Sequence, residues 1–135
     1  MDIAARVRLT LLLLRIGVFI VMLMWTLDKF MRPGHAAGVF KKFYHIDLGA
    51  PTMFYLLGSL ELVLILLFVT GTAKRFSYGA VLALHAISTV SSYRQYMQPF
   101  DNLLFFAAWP MLAACVALYL LRDADSLWTV QKNAA

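Results

Sequence analysis

Four long apolar stretches constrain what this chain can fold into: residues 9–27, 53–71, 76–92 and 102–121 are dominated by Leu, Ile, Val, Phe, Met and Ala. A helix needs about 20 mostly apolar residues to cross a bilayer, and each stretch approaches that length. Lipid offers the backbone no hydrogen-bond partner, so a crossing segment must be a helix or a closed-barrel strand, and the alternation of barrel strands is missing. The expectation is an all-α integral membrane protein, a single domain over residues 1–135 built as a four-transmembrane-helix bundle. Of the 135 residues, 62% are hydrophobic and 14% charged, and the mean hydropathy is +0.76. One small soluble core cannot hide that much apolar surface.

Arg6 and Arg8 precede the first stretch as in a signal peptide, but the apolar run is too long and no small-residue cleavage site follows, so a retained anchor is expected. Basic residues tend to stay cytoplasmic. The short Lys74-Arg75 turn and the basic N-terminus place both termini on that side, together with Arg122 and Lys132. Lys29, Arg32, Lys41, Lys42 and Arg94 then lie on the opposite face. The net charge of +5 is spread along both faces, which points to membrane lipid headgroups and away from nucleic acid. Cys115, the only cysteine, lies within the fourth stretch, which excludes an intramolecular disulfide, a CxxC pair and a thiolate metal cluster.

The connection from Asp28 to Pro51 has its own pattern. Ala36, Val39, Phe40 and Phe43 recur at helical spacing, with Lys41, Lys42 and His45 on the other side. This predicts a short amphipathic interfacial helix in the first outer loop, phenyl rings toward lipid and ammonium groups toward phosphate. His35 and His45 lack a third partner at ligand spacing, so no metal site is expected.

Charges inside the stretches are the chemical signal. Glu61 stands in the run LLGSLELVLILLFVTG, some 12–14 Å below its outer end at about 1.5 Å rise per residue. His85 in the third stretch comes to a similar depth, and Arg15 in the first lies somewhat closer to the cytoplasm. A charge at a helix centre costs about 2.5–3.5 kcal/mol even on the lenient insertion scale, so these groups should face the bundle interior. Gly58, one turn from Glu61, permits a close helix approach. Ser88, Thr89, Ser92 and Tyr96 continue from His85 as a polar stripe. Trp109-Pro110 interrupts the fourth stretch, where proline frees a carbonyl and directs a kink toward the same slab.

Two uses of these groups stay open. Arg15, Glu61, His85, Ser88 and Trp109 could bind the polar head of a lipid-like molecule such as a quinone, with Glu61 and His85 as the proton-exchanging candidates and Arg15 opposing the desolvation of Glu61. Alternatively the cluster only holds the bundle in register, the hydroxyls bond their own helix carbonyls, and Arg15 snorkels to the headgroups.

The pattern RIGVFIVMLMWTLDKF, then a basic aromatic loop, then FYLLGSLELVLILLFVTGTAKRF, resembles the DoxX family of small bacterial four-helix membrane proteins. Arg15, Trp25 with Lys29, and Gly58, Glu61 and Gly71 carry the resemblance, which covers most of the chain. It implies work near the quinone pool of a bacterial inner membrane, because the family includes DoxD-like subunits of thiosulfate:quinone oxidoreductases and members associated with redox or oxidative-stress proteins. Haem-type histidine pairs, redox cysteines and dinucleotide fingerprints are missing from the sequence, so any covalent or tightly held redox cofactor is expected on another subunit. The expected role is a redox-associated, quinone-binding membrane subunit. The alternative is a non-catalytic accessory subunit that docks on other membrane subunits or on further copies of itself.

Overall fold

The computed structural model describes residues 1–47, 49 and 51–132, and among them it contains helices and turns and no strand. Helix α1 runs Ile3–Met31, longer at both ends than its apolar core. Asp2 caps it by accepting the Ala5 N–H at 2.7 Å. It stops at Arg32 because the next residue is proline, which disfavours helical backbone in its predecessor. Pro33 then opens α2 (Pro33–Val39), where its fixed φ and missing N–H are tolerated. A π-helical turn, Phe40–Tyr44, follows and ends at left-handed His45.

Helix α3 spans Pro51–Val69 and closes at Gly71, whose φ is +64°. The Thr72 N–H reaches the Leu67 carbonyl at 2.8 Å and the Gly71 N–H the Phe68 carbonyl at 3.1 Å, a Schellman ending. Helix α4 covers Lys74–Ser91 and α5 the short Tyr93–Tyr96. The last stretch departs from a single kinked helix. Two 3₁₀ segments, Pro99–Asp101 and Leu103–Ala107, lead into α6, Ala108–Leu120. Pro110 therefore sits in the first turn of α6, where backbone N–H groups have no partner to lose. It begins an α-helix and kinks none.

Among the described residues, three segments are long and apolar enough to cross a membrane: α1, α3 and the continuous Leu103–Leu120. This is a membrane protein. Their outward faces carry unpacked apolar side chains such as Ile20, 55% exposed, and Leu60, 61% exposed, which water would not tolerate over so large an area. Helices α1, α3, α4 and α6 pack as a ring in which α1 and α4 each contact α3 and α6. Leu11, Val18, Ile65, Phe68, Tyr78, Val81, Cys115 and Leu118 fill its centre.

The outer end of the ring is stepped. A Cβ at Gly58 would lie 2.9 Å from the Phe30 ring and 3.3 Å from Lys29 Cβ, so the last turn of α1 sits level with the middle of α3. Seven residues separate Pro51 from Gly58, roughly 10 Å of helix, and α1 stops short of the α3 start by about that distance. The segment made of α2 and the π-helical turn after it folds into this step. Its rings turn toward the bundle, contrary to the expected lipid-facing orientation: Phe40 packs edge-on against Phe54 at 5.3 Å, and Phe43 lies 6.1 Å from Phe105. Ala36 is buried, while Lys41 and Lys42 are exposed. Burial against protein wins here because the step leaves a hole that only this segment can fill.

Candidate functional site

The α2 segment roofs a cavity of about 1100 Å³. Gly17, Val21, Met22, Trp25 and Lys29 of α1 form one wall, and Leu84, His85, Ser88 and Ser91 of α4, with Ser92 at its end, another. Phe105, Ala108, Met111 and Ala114 supply a third wall, Phe40, Phe43 and Tyr44 the roof, and Glu61 reaches in from α3. The spacing of 85, 88 and 92 places these side chains on one helical face. Most of the lining is apolar with a few convergent polar groups, the usual make-up of a small-molecule site.

Glu61 does not stand alone. Lys29 Nζ lies 3.0 Å from its Oε2, and Thr26 donates to its Oε1 at 2.7 Å. Both charged side chains are largely buried, Lys29 10% and Glu61 15% exposed, so each offsets part of the cost of desolvating the other. The Lys29 ammonium also donates to the Trp25 carbonyl at 3.4 Å, which leaves one proton free. Beyond the pair, Asp28 holds Arg32 at 2.8 Å and His35 at 2.6 Å at the start of the roof.

His85 Nε2 lies 2.9 Å from the Ala108 carbonyl and 3.3 Å from the Thr89 hydroxyl. Thr89 donates to the His85 carbonyl at 2.7 Å and Ser92 to the Ser88 carbonyl at 3.0 Å, while Tyr96 donates to the Thr89 carbonyl at 2.8 Å. Three members of the expected hydroxyl stripe thus satisfy backbone carbonyls of α4.

Two of the expected site residues lie elsewhere. Trp109 is 48% exposed and packs on Tyr96 at 5.4 Å, because the 3₁₀ segment rotates it away from the cavity. Arg15 is 1% exposed but meets neither Glu61 nor His85. Its Nη1 lies 2.6 Å from Asp125 Oδ1, and its Nη2 donates to the Leu127 carbonyl at 2.6 Å and the Trp128 carbonyl at 3.3 Å. Tyr78 donates to the second Asp125 oxygen at 2.6 Å. Lys74 adds its ammonium to the Asp125 and Arg122 carbonyls.

This inner cluster pins the C-terminal segment across the end of the bundle. Val130 and Gln131 extend the anchorage by donating to the Thr70 and Gly71 carbonyls at 2.8 and 3.0 Å. Sequence reasoning missed Asp125, Lys29 and Thr26. Lys29 and Thr26 carried a readable signal, since Thr26 and Lys29 share the α1 face of Met22, four and seven residues on. Compared with models of protein families, with curated proteins and with solved structures, the chain matches none.

Proposed function

We propose that this protein is a bacterial inner-membrane bundle of four spanning helices that holds a quinone, or a lipid-like molecule of similar shape, beneath the α2 roof. α4 is read as the fourth span, and both termini as cytoplasmic. Supporting that orientation, Arg6, Arg8, Lys74, Arg75, Arg122 and Lys132 flank one end of the bundle in the topology with both termini inside. The resemblance to the DoxX family gives the same environment, near the quinone pool, with the redox cofactor carried by a partner subunit.

One observation carries the reading. A cavity of about 1100 Å³ with apolar walls gathers a carboxylate, an ammonium, an imidazole and serine hydroxyls inside a bundle of 135 residues. A ring and its isoprenoid tail would fill the apolar part, which cannot stay empty without forfeiting contact energy. The Lys29–Glu61 pair and His85 would address the head. The test is native mass spectrometry of the protein released from its own membrane in nanodiscs, before and after Glu61→Gln. A bound quinone-sized mass that falls away in the variant supports the reading. If the spectra contain only protein partners, with the same occupancy in both samples, the chain is an accessory subunit and the reading fails.

A further inference from the structure

One nitrogen of His85 bears on which form of such a molecule the cavity holds. Nε2 has two neighbours, the Ala108 carbonyl at 2.9 Å and the Thr89 hydroxyl at 3.3 Å. Thr89 directs its proton to the His85 carbonyl at 2.7 Å, so both neighbours offer Nε2 only lone pairs. Nε2 therefore carries the hydrogen. In the neutral ring Nδ1 is then an acceptor, and no protein group among the described residues donates to it. It is also not an occluded orphan, and His85 lines the cavity.

We infer that His85 Nδ1 accepts a hydrogen bond from a hydroxyl of the cavity ligand, so that the site favours the dihydroxy (hydroquinone) form of a quinone over its dicarbonyl form. This rests on the function proposed above and names the redox state that the site prefers. The free Lys29 proton and the Ser88 hydroxyl can serve a carbonyl or a hydroxyl equally well. Nδ1 cannot, because a carbonyl placed there sets lone pair against lone pair, and an unmet acceptor in a dry site is expensive. The Ala108 carbonyl holds the tautomer through the backbone turn where the 3₁₀ segment becomes α6.

The experiment uses the full chain in nanodiscs under anaerobic, mildly alkaline conditions, titrated with decyl-benzoquinone and with the same compound reduced to the hydroquinone. Tryptophan fluorescence reports occupancy, since Trp25 lines the cavity. The hydroquinone is expected to bind roughly tenfold more tightly. His85→Phe brings the ratio of the two affinities to about one whatever happens to their absolute values, and Ser88→Ala leaves the ratio as it was. Equal binding of the two forms to the unmutated protein overturns the inference, as does a ratio that survives His85→Phe. The first of these needs no variant, so a folding failure in His85→Phe does not protect the inference. If neither form binds the unmutated protein, the proposed function itself fails and the inference falls with it.

Discussion

Arg15 and Asp125 meet at 2.6 Å with 1% and 0% of their side chains exposed, which joins the first helix to the C-terminal segment through a fully desolvated ion pair. Removing one partner from such a pair strands the other charge, at a cost of about 3–5 kcal/mol. Asp125→Ala should lower stability by about that amount. Urea unfolding in a mild detergent measures it. Limited proteolysis should in addition cut the variant near Leu127 well before the unmutated protein. An unaltered cleavage pattern would mean that the segment is held by other contacts.

The Lys29–Glu61 pair is expected to behave as a coupled unit. Lys29→Met and Glu61→Gln each leave one charge or dipole facing apolar walls, so each alone should destabilise. Combined, they should be less harmful than the sum of the two, with a coupling of about 1–3 kcal/mol. A double-mutant cycle on unfolding midpoints supplies the value. Strict additivity would show that the 3.0 Å contact contributes nothing.

How far the sequence led can be judged on these same residues. The spans at α1, α3 and Leu103–Leu120 were legible because long apolar runs have one outcome in lipid. Gly58 was legible as a close approach, and Phe30 now occupies that space. The partner of Arg15 was not, because Asp125 follows it by 110 positions in a polar segment that has the composition of a solvated tail. Depth counting also assumed that all helices begin at one outer plane. The step between α1 and α3 breaks that assumption, and it puts Lys29 beside Glu61 and turns an expected interfacial helix into a roof. Helix offsets of this kind arise from packing between elements, which a local pattern does not encode.

Gly71 has two separate reasons to resist substitution. Its φ of +64° disfavours any L side chain, and an added Cβ would lie 2.6 Å from Thr129. Gly71→Ala is expected to destabilise by about 1–3 kcal/mol through the backbone conformation and to displace residues 129–131. Pairing it with Thr129→Gly separates the two effects. The double variant should recover the docking of the segment, read by the same proteolysis, while the backbone penalty remains in the unfolding free energy.

Gly17 offers the reverse case, a glycine whose replacement should leave the scaffold sound and block the cavity. It lies mid-helix in α1, lines the cavity, and would have nothing within 4 Å of an added Cβ. Leucine has a helix propensity better than that of glycine by about 0.5–1 kcal/mol, so Gly17→Leu should hold or raise the unfolding midpoint. Its isobutyl group would project into the space that the proposed ligand needs, and decyl-benzoquinone affinity should fall by about an order of magnitude, the change that follows from losing ~1.4 kcal/mol of contact. Stability and binding would then move in opposite directions in one variant, which no general loosening of the bundle can produce. Undiminished binding in a well-folded Gly17→Leu protein would place the ligand outside this cavity.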